Sequence, residues 1–184
     1  VKDTFAEADA VMSDVLEAPL TSYFLRADFE DDAAKKAAFV QLTQTEITQP
    51  SVLAVDTAIL RLIREFGFTA DMVAGHSLGE YGACVASGVM SFESALRTVA
   101  ARGTAMADVE PMDGDNGLMA AVAAGVEAVE KVLSEVEGYV VCANKNCHAQ
   151  TVIGGSSGPV RAAAERLSEE GFDVRMIPVS HAFH

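Results

Sequence analysis

The stretch Gly75-His76-Ser77-Leu78-Gly79 constrains this chain more than any other. It follows a short apolar run, Met72-Val73-Ala74, and opens a segment that reads as a helix from Leu78 to Ser87. Strand, sharp turn and helix in that order put a serine on the turn, with its hydroxyl exposed at the strand's carboxyl end. This is the pattern of a nucleophile elbow. The glycines two residues to either side leave room where strand and helix come too close for a side chain. The helix start offers backbone N–H groups and a positive dipole end where an oxyanion would form. Small residues also crowd many strand-to-helix turns for packing alone; here the flanking strand and helix favour the nucleophile.

Composition narrows the classes around that motif. A chain of 184 residues with 50% hydrophobic content can build a sizeable core and one to two domains. A net charge of −14 argues against nucleic acid or an anionic membrane as partner, and its simplest use is solubility. No apolar run approaches membrane-spanning length and no signal peptide is visible. Three cysteines, an odd number in a long chain, point to a reducing compartment and a cytoplasmic location. Cys142 and Cys147 stand wider apart than a zinc knuckle, and with His148 they find no second close pair, so no metal site is expected. Cys84, on the elbow helix, reads as core. No glycine-rich dinucleotide loop or Walker-type loop appears, so no phosphate cradle is expected. Neither end carries linker composition, and the chain is expected to be a piece of something longer.

Along the chain, a short helix is expected near Phe5–Leu16. The acidic residues Asp28, Glu30, Asp31 and Asp32 lead into a helix from Ala33 to about Thr43. Pro50 suits the first turn of the next helix. Val52, Val55, Ile59, Leu62 and Phe66 form one stripe, widened by Leu53, Leu60 and Ile63, which predicts burial against a sheet. Gly67 closes that helix and Gly88 the elbow helix. Ser91 caps a helix from Phe92 to Ala107. From Gly117 the order becomes β-α-β-β-α-β, the ferredoxin-like pattern, with strands at 118–123, 139–143, 150–153 and 172–179 and a polar loop at 144–149. The loop Asp108–Asn116, with Pro111 and Gly114, is expected to be the hinge. The domains expected are therefore 1–116 plus 180–184, and 117–179.

A serine hydroxyl needs a base, and the chain has four histidines. His76 precedes the serine and can line the site. His148 sits in a loop. That leaves His181 and His184, in Ser180-His181-Ala182-Phe183-His184, just after the last strand where the chain is expected to return to the first domain. Arg102 falls on the apolar stripe Phe92, Ala95, Val99, Met106. An inward guanidinium must meet an anion or reach back to solvent. That anion is an internal carboxylate or a ligand.

Taken together, Thr48-Gln49-Pro50, the Gly75–Glu80 elbow, Ala101-Arg102-Gly103 and His181–His184 resemble the acyltransferase domain of type I polyketide and fatty acid synthases and the related malonyl-CoA:acyl carrier protein transacylases. Four separated motifs match in the family's order. The resemblance implies an α/β-hydrolase-like serine domain with an inserted ferredoxin-like α+β subdomain. It implies transfer of a malonyl-type unit from CoA, through an acyl-serine, to the phosphopantetheine thiol of an acyl carrier protein. No tightly bound cofactor is implied; the partners are acyl-CoA, the carrier protein and neighbouring synthase domains.

By motif, Ser77 is the nucleophile and His184, last of its four-residue motif, the base. Arg102 pairs with the substrate's free carboxylate, Leu78 supplies an oxyanion N–H, and Gln49 lies near the site, as do His76 and His181. His-Ala-Phe-His is the form common in malonyl-using synthases, and Phe183 would crowd an α-methyl group. One methyl is worth only ~1–3 kcal/mol, so that selectivity is partial. The resemblance also implies that the segment supplying the second oxyanion N–H precedes Val1 and the segment orienting the histidine follows His184. Cys147 and His148 depart from the Ser-Pro or Gly-Pro of many relatives. Two other classes share parts of this pattern. A serine hydrolase (an esterase or thioesterase) has the elbow but no use for an inward cation. A non-catalytic carrier-docking module keeps the fold and loses the site.

Overall fold

The computed structural model describes residues 1–26, 28–109, 114–179 and 181–184. Pro111 of the expected hinge, and Ser180, lie outside the described residues. The chain is mixed α/β and divides into two compact units, Val1–Asp108 and Val109–His184.

The described residues of the first unit form helices and no strand: α1 Lys2–Met12, α2 Thr21–Phe24, α3 Asp32–Leu42, α4 Thr45–Glu65, α5 Gly79–Ser87 and α6 Phe92–Ala107. Two helix starts follow from capping side chains. Asp31 accepts from the Ala34 N–H at 2.7 Å, and Ser91 from the Ser94 N–H at 3.0 Å, each satisfying an amide the helix leaves without a partner. Gly88 closes α5 at φ +78°, where a side chain would be strained. The core joins Ala8, Val11 and Met12 of α1, Leu20 just before α2, Leu53 and Ala54 of α4, and Phe92, Ala95, Leu96, Val99 and Ala100 of α6.

Helix α4 departs from expectation twice. It begins five residues before Pro50, so the proline sits inside the helix and removes one ladder bond there. Its buried side is Ile47, Gln49, Pro50, Leu53, Ala54, Thr57 and Ala58, facing α6 and α1. Most of the large residues of the expected stripe are exposed instead: Val52, Ile59, Leu62, Ile63 and, at 74%, Phe66. Both faces are apolar, and the small residues Ala54 and Ala58 permit the closer helix approach, so that face wins the packing. Met72–Ala74 forms no strand. It is exposed and has no ladder partner among the described residues of its unit. The elbow therefore enters from a segment outside any strand or helix.

The second unit runs β1 Leu118–Val122, α7 Val126–Leu133, β2 Val140–Cys147, β3 Gln150–Gly155, α8 Ser157–Glu169 and β4 Val174–Ile177. Its sheet is antiparallel in the order β2-β3-β1-β4. Val129, Val132, Val160, Ala163 and Leu167 of the helices pack on Ala120, Val122 and Ile153 of the sheet. The polar stretch expected as a loop mostly belongs to β2, and only His148 and Ala149 turn the chain. An edge strand tolerates Asn144, Lys145 and Asn146 because one side faces water, and two register shifts mark the irregularity. Residues 181–184, expected to rejoin the first domain, fall in the second unit. The Ala182 N–H donates to the Asn116 carbonyl at 2.9 Å, and the Phe183 N–H lies 3.2 Å from Met119 Sδ.

Candidate active site

The elbow is built by backbone crowding. Ser77 has φ +52°, in the left-handed region that a residue with a side chain adopts only at a cost of ~1–3 kcal/mol. A methyl on Gly75 would lie 2.1 Å from the Gly79 carbonyl oxygen, so only glycine lets the two arms of the turn close. The turn is held by the Gly79 N–H on the His76 carbonyl, 2.9 Å, and the Glu80 N–H on the Ser77 carbonyl, 3.2 Å. Glu80 Oε1 accepts from the Ser77 N–H at 3.2 Å. Ser77-Leu78-Gly79-Glu80 carries the spacing of a capping box, which is the local sequence signal for this contact. The Leu78 N–H, at the head of α5, takes no acceptor among the described residues. It stands where the dipole of α5 is positive.

Two helices bring polar groups to this serine. Arg102, half-buried on α6, donates from Nη2 to Ser77 Oγ at 3.3 Å and from Nη1 to Gln49 Oε1 at 2.7 Å. Gln49 is 5% exposed on α4, and its Nε2 donates to Met106 Sδ at 3.3 Å. Arg102 forms no ion pair among the described residues. The close approach that makes this possible centres on Gly103. A methyl there would lie 2.5 Å from the Thr45 carbonyl oxygen and 2.7 Å from Glu46 Cα. Thr45 Oγ1 donates to the Gly103 carbonyl at 2.9 Å across the same contact.

Ser77, Leu78, Gln49 and Arg102 are thus brought together within the first unit, and His76 is exposed on the turn beside them. His181, Phe183 and His184 follow β4 in the second unit, with His184 at φ +61°. Behind the elbow a cavity of about 250 Å³ is lined by Asp56, Thr57, Leu60, Ala74, Gly75, Gly79 and Gly82. Burial there pushes the Asp56 carboxyl above its ordinary value. No cluster of three metal-ligating side chains occurs among the described residues. Burial, then the Glu130 carboxylate, pushes the Cys142 thiol up, against a smaller opposing pull from Lys145, which disfavours its reactive thiolate. No helix among the described residues is long and apolar enough to cross a membrane.

Comparison with known proteins gives the family. The profile of the family described as "Acyl transferase domain" matches residues 1–184. The malonyl CoA-acyl carrier protein transacylase of Bacillus subtilis (strain 168) is 39% identical over 188 residues, which covers all of this chain and 54% of that protein. The acyltransferase domain from the second module of the salinomycin polyketide synthase superposes with a TM-score of 0.81 at 34% identity, over 100% of this chain and 39% of that one. A malonyl-transacylase solved in complex with a type II polyketide acyl-carrier protein superposes at 0.80 with 30% identity, over 98% and 55%. The chain therefore spans about half the length of the transacylases it resembles.

Proposed function

Because the chain belongs to the acyl transferase domain family, we propose that it carries the nucleophile and the carboxylate receptor of an acyltransferase that moves malonyl-type units from CoA to an acyl carrier protein. The architecture proposed is an α/β-hydrolase-like serine domain, to which Val1–Asp108 contributes, and a ferredoxin-like subdomain formed by the sheet and helices of the second unit. The sheet order β2-β3-β1-β4 supports the second assignment.

Ser77 Oγ attacks the thioester carbonyl as His184 takes its proton. The Leu78 N–H stabilises the oxyanion that forms. The oxyanion collapses, the C–S bond breaks, and the CoA sulfur leaves with the proton from His184. The phosphopantetheine thiol of the carrier then repeats the attack on the acyl-serine, with His184 again moving the proton, and Ser77 is restored. Arg102 holds the distal carboxylate in a two-pronged pair. His181 and Phe183 line the acyl pocket, and Phe183 crowds α-branched units. The relatives named as malonyl transacylases, and the one solved with its carrier protein, support the choice of donor and acceptor.

The observation that carries this reading is the Arg102 guanidinium, 3.3 Å from Ser77 Oγ and without an ion pair among the described residues. A cation so near the nucleophile suits a short diacid whose far end must be neutralised. In the complete domain, Arg102→Ala is expected to cost malonyl transfer roughly 2–5 kcal/mol of transition-state stabilisation and acetyl transfer far less. Equal losses for the two donors, measured as kcat/KM on folded protein, would remove the carboxylate role. An acyl-enzyme that water discharges as fast as a pantetheine thiol would make the protein a hydrolase.

A further inference from the structure

The Gln49 amide is held between two partners of opposite kind. A guanidinium has only donors and a thioether only a weak acceptor. Arg102 must therefore face the amide oxygen and Met106 the amide nitrogen, and the distances of 2.7 Å and 3.3 Å agree. Arg102 and Met106 are four residues apart on α6, so they lie one above the other on one face, and Gln49 enters from α4 opposite both. Gln49 is 5% exposed, so water offers its amide nitrogen little alternative. Without an acceptor on that side, the amide can turn over and present its N–H groups to Arg102, where donor meets donor.

We propose that Met106 is a positioning residue for acyl selection: its sulfur fixes the Gln49 amide, which in turn aims the Arg102 guanidinium at the substrate carboxylate. The proposal rests on the carboxylate-receptor reading of Arg102 above. Its consequence is specific. Loss of the sulfur disturbs the donor that needs the guanidinium and largely spares the one that does not.

The test compares Met106→Leu, Met106→Gln and Arg102→Ala in the complete domain, with malonyl-CoA and acetyl-CoA as donors and melting temperatures recorded. Leucine fills the space without an acceptor; glutamine is as long as methionine and its carbonyl can accept from the Gln49 amide. Met106→Leu is expected to lower the malonyl-to-acetyl ratio of kcat/KM about three- to ten-fold, the worth of one buried hydrogen bond. Met106→Gln is expected to bring the ratio back towards that of the parent, within about two-fold by the same measure. A simple packing role predicts the reverse order, because leucine packs better than a buried amide. A ratio unmoved by Met106→Leu, or no better with glutamine than with leucine, overturns the positioning role. If Arg102→Ala itself leaves the ratio unchanged, the carboxylate reading falls and this proposal with it. If Arg102→Ala collapses the ratio and Met106→Leu does not, only the role of Met106 is lost.

Discussion

Ser77 sits in a conformation it would not choose alone, and the sites around it explain why it stays. At φ +52° its hydroxyl is thrown clear of the backbone, while its own N–H is taken by Glu80. The Leu78 N–H takes no acceptor among the described residues. Ser77→Ala should abolish acyl-enzyme formation, seen by mass spectrometry after malonyl-CoA is added, and leave the fold intact. For the base, the sequence left His181 and His184 both open, and the family motif chose the latter. His184→Ala should therefore lower kcat by at least ~10²-fold, the lower end for losing a general base, and His181→Ala should do less. A larger loss at His181 would hand it the base's role. At this scale the sequence was most legible where chemistry is local. The sharp turn at Ser77, the need for glycine at Gly75 and the inward arginine could be read from neighbours within a few residues, whereas Gly79 meets nothing that would exclude a side chain and the expected strand before the turn does not form. The Gln49–Met106 contact could not, because those residues lie far apart in the chain and nothing in their types announces a pairing.

Between elements, the α4–α6 contact decides whether Arg102 and Gln49 meet, and Gly103 is its closest point. Alanine normally favours a helix by ~1 kcal/mol over glycine. Here the added methyl would meet the Thr45 carbonyl and Glu46 Cα, which are backbone atoms that cannot swing aside. Overpacking of this kind costs ~1–3 kcal/mol, enough to cancel the helix gain. Gly103→Ala should thus fail to stabilise the protein and should reduce malonyl transfer by spreading the two helices. A raised melting temperature with full activity would show that the contact is looser than its geometry implies. Boundaries of α6 were legible because Ser91 and the stripe behind it are local signals. Those of α4 were not, since Pro50 is tolerated inside a helix fixed by tertiary packing. In the second unit, Asp115 ties the start of β1 to α8: it accepts from the Gly117 N–H at 2.9 Å, the Ser157 N–H at 2.7 Å and the Ser157 hydroxyl. The Ser157 hydroxyl, then the Ser157 and Gly117 amides, hold its carboxyl below the ordinary 3.8. A lowered folded value means that this stabilisation is whole above that pH and is lost as pH falls through the folded value. Asp115→Asn should therefore unfold more easily at pH 7 and show a flatter loss of stability below pH ~3.8. An unfolding midpoint that tracks pH identically in both proteins would rule the link out.

At the scale of the whole molecule, two opposed surface properties set behaviour in solution. The net charge of −14 repels copies of the chain from one another. Against it stands an apolar face along α4 and the segment beyond it, where Ile59, Leu62, Ile63, Phe66, Phe68 and Met72 are all exposed, Met72 to 91%. Apolar patches of this kind mark surfaces that another surface covers. The sequence showed that α4 has more apolar circumference than one neighbour can bury, but not which face is taken. That choice belongs to whatever packs against it, and the alternation of residue types is blind to it. Salt separates the two tendencies, because charge repulsion is screened and apolar attraction is not. The Debye length falls from ~30 Å at 0.01 M to ~8 Å at 0.15 M. The 184-residue chain by itself should be dispersed at low ionic strength and associate as salt rises, followed by light scattering and by binding of an apolar dye. Ile59→Glu with Phe66→Glu should suppress that association, since both side chains point away from the core cluster and the charges enter water at little cost to stability. Association that persists in the double variant, or that weakens with salt, would mean that charge rather than this apolar face governs how the chain meets its own copies.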